Sequence, residues 1–159
     1  MPANGDYSDR PNTIHWPPAL YLLTLAGAFV LQRIMPLRTW MPPPYDAQVG
    51  WPLFLFGVTL GCVAIFGFRQ ARTAVDPTAP AARLVTDGIY SVTRNPMYLG
   101  AVIAFVGLGL ARGSSWLLIL TCFLPFALQR LAIEREEAHL EHRFGDDYRR
   151  YRSRVRRWL

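Results

Sequence analysis

The chain has 159 residues, 52% of them apolar and 18% charged, and carries a formal net charge of +6. A soluble domain of this size has about a quarter of its residues charged. It also lacks the amphipathic covering needed to wrap several all-apolar helices, so the composition points to a membrane protein.

In chain order, the first fifteen residues carry Asp6, Asp9 and Arg10 and lead to no small-residue cleavage pattern, so no cleavable signal peptide is expected. Four charge-poor stretches follow, predicting apolar helices over 16–34, 48–68, 95–111 and 113–133. A helix rises about 1.5 Å per residue and needs roughly 20 residues to cross a hydrocarbon core. On that measure the last two are marginal spans, and only Arg112 separates them, which predicts a tight hairpin at "ARGSS". The fold class expected is an all-α integral membrane protein of about four spans forming one domain, with helices after the fourth span. Cys62 and Cys122 fall inside spans with no metal-like spacing and are expected as small core residues.

The loop "MPLRTWMPPPYDAQ" between the first two spans is proline-rich and is expected to be extended, with Trp40 and Tyr45 as interfacial anchors. Gly57 and Gly61 in the second span have the GxxxG spacing that lets a second helix approach closely. Packing within one bundle is the simpler use of it; a homodimer face is the other. The stretch 69–94 is a polar connection, and Pro125 is expected to kink the fourth span. All 17 basic residues are arginine. Four spans would gather fourteen of them on one side and Arg33, Arg38 and Arg112 on the other. The positive-inside rule then places both ends of the chain, the loop 69–94 and the segment 134–159 in the cytoplasm, in a cell inner (plasma) membrane.

After the fourth span, "RLAIEREEAHLEHRF" reads as a charged helix ended by Gly145, with Asp146 or Asp147 capping the next. In that next helix Tyr148, Tyr151, Val155 and Trp158 or Leu159 recur at helical spacing among six arginines, a pattern expected to lie on anionic lipid rather than on nucleic acid.

Two clusters carry possible chemistry. The first is "DGIYSVTRNPMYLG", where Asn95 suits a helix N-cap, Pro96 the first helical position, and Tyr90, Arg94 and Tyr98 gather where free N–H groups favour an anion. The second is Glu134, Glu136, Glu137 and Glu141. Glu134, Glu137 and Glu141 share one helical face, and Glu136 points elsewhere with His139 and Arg143. Solvated charge is the ordinary use of such a run, but carboxylates against a bilayer need a positive partner: a cationic small molecule, Arg130, Arg135 or Arg94. Glu136-x-x-His139 occurs once, where a carboxylate-bridged site needs two copies, and no metal is assigned.

These pieces resemble the isoprenylcysteine carboxyl methyltransferase and phospholipid methyltransferase superfamily of integral membrane enzymes. "GIYSVTRNPMYLG" is similar to its G-x-Y-x-x-x-R-(H/N)-P-x-Y-x-G pattern, and "EREEAHLEHRFGDDYRRYRSRV" to its E-E-x-x-L-x-x-x-F-G-x-x-Y-x-x-Y-x-x-x-V pattern. The resemblance implies a cytosol-facing pocket built from the last two spans and the segment after them, binding S-adenosyl-L-methionine without a Rossmann fold. It implies cofactor contacts at Tyr90, Arg94, Asn95, Pro96, Tyr98, Glu136, Glu137 and Leu140. Asn95 stands where eukaryotic members place a histidine before the proline. Arg94, Glu137 and Arg130 are the expected catalytic residues. Arg94 or Arg130 would orient an acceptor carboxylate, and Glu134, Glu137, His139 or His142 would serve as base for a thiol or amine. A lipophilic acceptor from the bilayer is implied: an isoprenyl-cysteine-like carboxylate, a lipid amine or a small apolar thiol. The competing readings are a sterol-type reductase that binds NADPH and a non-catalytic membrane scaffold.

Overall fold

The computed structural model describes residues 15–76 and 78–159, so the reading of the first fourteen residues as free of a signal peptide lies outside the described residues. Among the described residues six α-helices follow one another: α1 (Trp16–Ile34), α2 (Tyr45–Gln70), α3 (Pro96–Ala111), α4 (Ser115–Leu128), α5 (Glu134–Phe144) and α6 (Asp146–Arg154). A 3-10 turn, Gly88–Ser91, precedes α3, and a π turn, Gln129–Ile133, joins α4 to α5. Among the described residues extended pairing is limited to an isolated bridge between Arg38 and Ser114, so the fold is all-α. Among the described residues three helices are long and apolar enough to cross a membrane: α1, α2 and the continuous rod Ser115–Phe144. With 16 residues, α3 is apolar but shorter. It reaches about 24 Å, against a hydrocarbon thickness of about 30 Å.

The second apolar helix begins at Tyr45, earlier than its hydropathy predicts, because its first turn is polar and held by hydrogen bonds. The Gln48 N–H donates to the Pro44 carbonyl at 3.0 Å, and the Asp46 carboxylate accepts from the Ala47 N–H at 2.7 Å.

The closest helix pair is α2 with α3, and small residues make it so. A Cβ added to Gly100 would lie 2.6 Å from the Gly57 carbonyl oxygen. One added to Gly57 would collide with the backbone of Gly100 and Ala104, and one added to Gly107 with Phe54 and Gly50. The glycine spacing in α2 therefore serves a seam inside the bundle, where backbone approach replaces the hydrophobic effect that lipid cannot supply. Gly61 lies at the edge of that seam, and a Cβ there meets nothing within 4 Å.

The hairpin between α3 and α4 turns where the sequence places it. Gly113 takes φ +61°, and the Ser114 hydroxyl caps α4 by accepting the Leu117 N–H at 3.4 Å. The rod of α4 continues helically through Pro125 and widens into the π turn before α5. Leu124, Leu128 and Ile133 form a core with Leu20, Tyr21, Tyr98, Val102, Phe105 and Trp158 packed on it. Outward faces carry Leu22, Phe29, Phe56, Phe123 and Phe126, exposed as a lipid-facing surface requires. Cys62 and Cys122 are exposed on these outer faces and are not core residues.

Gly145, at φ +51°, separates α5 from α6. The expected aspartate cap does not form. Asp146 pairs instead with Arg149 at 2.7 Å, and Asp147 with Arg150, within the first turn of α6. The tyrosine stripe of α6 turns inward: Tyr148 and Tyr151 are buried in the protein. The helix stops at Arg154, and residues 155–159 form a strap that runs back to the start of α3.

The seam yields a paired prediction. Gly57→Ala overpacks a backbone contact and is expected to destabilise the protein by about 1–3 kcal/mol. Gly61→Ala, in open space, should leave stability equal or raised by up to about 1 kcal/mol through helix propensity. Thermal unfolding of the two variants in one detergent distinguishes them.

Candidate functional site

The site begins at the 3-10 turn. Tyr90 is buried there, its ring stacked on Phe68 of α2 with centroids 5.0 Å apart and planes 15° off parallel. Its hydroxyl donates to the Ala64 carbonyl at 3.3 Å, and its carbonyl accepts the Tyr151 hydroxyl at 2.7 Å. One residue thus joins α2 to α6. Burial raises the hydroxyls of Tyr90 and Tyr151 well above the ordinary phenol range, so both remain neutral donors.

The next residues lead into α3. Asn95 occupies the N-cap position, but its side chain makes no capping bond; its amide donates to the Arg157 carbonyl in the strap at 3.1 Å. Pro96 takes the first helical position, where a missing N–H costs nothing. Two residues on, the Tyr98 hydroxyl donates to Glu136 Oε1 of α5 at 2.5 Å.

Arg94 faces Glu137. Its Nη1 lies 2.9 Å from Glu137 Oε1, with side chains 10% and 12% exposed, and also donates to the Tyr148 hydroxyl at 3.0 Å. From the other side Arg157 closes on the same carboxylate through two bonds, Nε to Oε1 at 2.9 Å and Nη2 to Oε2 at 2.7 Å. The hydrogen bond to Glu137 holds the Arg157 guanidinium above its usual pKa. Burial first, then the Glu137 charge, pushes the Tyr148 hydroxyl up to about 12.

All eight cofactor-site residues expected from the sequence, Tyr90, Arg94, Asn95, Pro96, Tyr98, Glu136, Glu137 and Leu140, line one cavity of about 110 Å³. Consecutive glutamates reach it from different faces of α5, and the two are not equivalent. Glu137 is shared by two arginines, whereas Glu136 accepts from a tyrosine. Arg130, expected as a catalytic residue, does not line the cavity. It pairs with Glu134 at 3.4 Å, and its side chain is 76% exposed. Glu134 and His142 do not line it either, while buried His139 does.

The walls differ from the expected pair of spans. The end of α2 contributes Phe68, the connection after it contributes Ala74, Val75, Asp76, Ala79 and Ala81, and α6 contributes Tyr148 and Tyr151. No residue of α4 lines the cavity. The connection is tied down by Thr73, whose hydroxyl accepts the Ala82 and Arg83 N–H groups at 3.0 and 3.3 Å, and by the pairing of Asp76 with His15 at 3.3 Å. Hydrogen bonds from Thr78 foremost hold the Asp76 carboxyl below its usual range. The small and polar residues of this connection have no periodic pattern, so the sequence does not mark them as part of a site. The stripe of Tyr148 and Tyr151 is marked, but its periodicity is also that of a helix lying on lipid.

The contrast between Tyr98 and Arg130 is measurable. Tyr98→Phe removes a bond to a carboxylate and is expected to lower the unfolding free energy by about 1.5–3 kcal/mol. Arg130→Ala, breaking an exposed pair, should change it by less than about 1 kcal/mol. Denaturant titration in detergent reads both.

Comparison with known proteins places this geometry in a family. The phospholipid methyltransferase family matches residues 46–147, a stretch that holds all but the first residue of α2, the whole of α3, α4 and α5, and both glutamates of the cavity. The chain is 43% identical over 74 residues to protein-S-isoprenylcysteine O-methyltransferase of Schizosaccharomyces pombe, covering 45% of this chain and 30% of that protein. It is 31% identical over 144 residues to methanethiol S-methyltransferase 1 of Bradyrhizobium diazoefficiens, covering 84% of this chain and 49% of that protein. It is 29% identical over 109 residues to methanethiol S-methyltransferase of Pseudomonas deceptionensis, covering 67% and 40%. The chain thus spans half or less of the length of these curated methyltransferases. No solved structure matches. With more than half of its residues inside the family match, and with apolar helices that suit a bilayer, the chain belongs to the phospholipid methyltransferase family.

Proposed function

We propose that this protein is a membrane-embedded methyltransferase that uses S-adenosyl-L-methionine and acts on a lipophilic acceptor. The observation that carries this reading is the meeting of Arg94 and Tyr98, from the start of α3, with Glu136 and Glu137, from α5, in one cavity. The donor set fits the cofactor's chemistry. A cationic centre asks for a carboxylate, which Glu136 offers; the carboxylate of an amino acid asks for a guanidinium, which Arg94 offers; an adenine asks for an aromatic wall, which Phe68 and Tyr90 offer. Bound there, S-adenosyl-L-methionine supplies an electrophilic methyl group on a sulfonium centre.

The work left to the chain is orientation. Methyl transfer disperses charge in its transition state, so holding two reactants in line at near-contact distance supplies several kcal/mol without acid–base help. Glu136 is set for this by Tyr98, and Tyr98 in turn packs on the core formed by Leu124, Leu128 and Ile133, which leads from the cavity towards the lipid-facing helices. That continuity favours an acceptor arriving from the bilayer: an isoprenylated carboxylate, a lipid amine or a small apolar thiol. His139 lines the cavity and is the base for an acceptor that must lose a proton. The arginine balance favours a cavity on the cytoplasmic side of an inner membrane, with the outward arginines of α6 against anionic headgroups.

Calorimetry of the purified protein in detergent should give a micromolar dissociation constant for S-adenosylhomocysteine, the stable demethylated cofactor, or about −8 kcal/mol. Glu136→Gln should weaken S-adenosylmethionine, which carries the cation, more than the neutral thioether of S-adenosylhomocysteine. Heat with NADPH and none with either methionine derivative would transfer the site to the reductase reading. A reporter fused after Leu159 should read cytoplasmic; a signal from the opposite side would overturn the orientation.

A further inference from the structure

The strap 155–159 is sewn to the entrance of α3. The Arg94 N–H donates to the Arg156 carbonyl at 3.0 Å. The Thr93 hydroxyl and the Asn95 amide both donate to the Arg157 carbonyl at 3.1 Å. Trp158 is packed against the core of Leu124, Leu128 and Ile133. This backbone anchorage holds Arg157 where its guanidinium takes both oxygens of Glu137. Arg157 itself does not line the cavity.

The charge count makes this arrangement informative. Arg94 and Glu137 alone would neutralise each other in a place where both side chains are almost fully buried. A neutral pair attracts neither an anion nor a cation strongly. With Arg157 clamped on Glu137, two guanidinium groups share one carboxylate, and the cluster keeps one positive charge on the cavity side, carried by Arg94. Charged hydrogen bonds in a poorly hydrated pocket are stronger than at the surface, so that single charge decides which group settles there.

We propose that Arg157 is a positioning residue that occupies Glu137 and thereby frees Arg94 to seat a carboxylate, the one on the amino acid arm of the methyl donor. This inference rests on the reading of the site as a methyl-donor site. It divides the two glutamates: Glu136 meets positive charge, while Glu137 belongs to the anion seat. It also gives the strap after α6 a part in ligand recognition.

The test compares S-adenosylhomocysteine with its decarboxylated form, which keeps the amine, thioether and adenosine, on the full chain in detergent. Wild type should favour the carboxylated ligand by about tenfold or more. Arg157→Ala should lose about tenfold for that ligand and little for the decarboxylated one, because Glu137 then neutralises Arg94. Arg157→Ala combined with Glu137→Gln restores one net positive charge and should recover most of the preference. A merely structural strap would weaken both ligands together, and the double variant would be no better than the single one; either result overturns the proposal. Unchanged affinity of Arg157→Ala for the carboxylated ligand overturns it as well and leaves the methyl-donor reading standing. Binding of neither ligand to wild type would remove that reading and this one together. Where Arg157→Ala is not monodisperse in detergent, Arg157→Gln, which can still donate to Glu137 without charge, is held to the same comparison.

Discussion

A carboxylate gripped between two guanidinium groups at the entrance of a short apolar helix is the constraint on which the site-bearing end of this molecule depends. Glu137 comes from α5, Arg94 from the turn before α3 and Arg157 from the strap after α6. These three segments belong to different elements, and the shared carboxylate joins them. An unpaired buried ion costs several kcal/mol, so neither Arg94 nor Glu137 can leave while the other stays buried, and Arg157 adds a second hold on the same carboxylate. Tyr148 and Tyr151 fill the space behind the cluster, and their hydroxyls bind Arg94 and the Tyr90 carbonyl. Closure of the cavity is therefore a consequence of satisfying these groups.

The glycine seam sets where this cluster sits. Backbone contact between α2 and α3 leaves no room for either helix to slide without a clash at Gly57, Gly100 or Gly107. The hairpin at Gly113 fixes the far end of α3, and its 16 residues fix how far its N-terminus extends. At 16 residues α3 is about 6 Å shorter than a typical hydrocarbon core is thick. The π turn completes the placement. By widening the rod between α4 and α5, it lets one helix pack as apolar core up to Ile133 and then present Glu136 and Glu137 to the cavity.

Much of this was legible in the sequence, and the parts that were not share a cause. Four apolar helices and the Arg112 hairpin follow from local hydropathy and spacing, whereas the joining of the Arg94 and Glu137 neighbourhoods in one pocket is implied by the family resemblance. The destination of an amphipathic stripe does not. Tyr148 and Tyr151 among arginines have the periodicity of a helix lying on lipid, yet the same periodicity serves a helix whose stripe faces protein. What decides between them is the position of Arg94 and Tyr90, more than fifty residues away in sequence. Asn95 is the same case in miniature. Its type suits a cap, and it stands at the cap position, but a carbonyl from the strap competes for its amide and wins. Arg130 errs in the other direction: one helical turn before Glu134, it finds a local partner in its own rod and is drawn away from the cavity.

The economy of the cluster bears on what it is for. Replacing a buried ion pair or triad by well-packed apolar side chains is often neutral or stabilising by about 1–4 kcal/mol. In a bundle already held by a glycine seam and an apolar core, Arg94, Glu137 and Arg157 are thus a costly way to join three segments. The same holds for Glu136, which a tyrosine rather than an arginine satisfies. Stability alone would select leucines at these positions. Charge kept here, in two carboxylates given opposite surroundings, is what a site needs when its ligand carries both signs and must lie in one orientation.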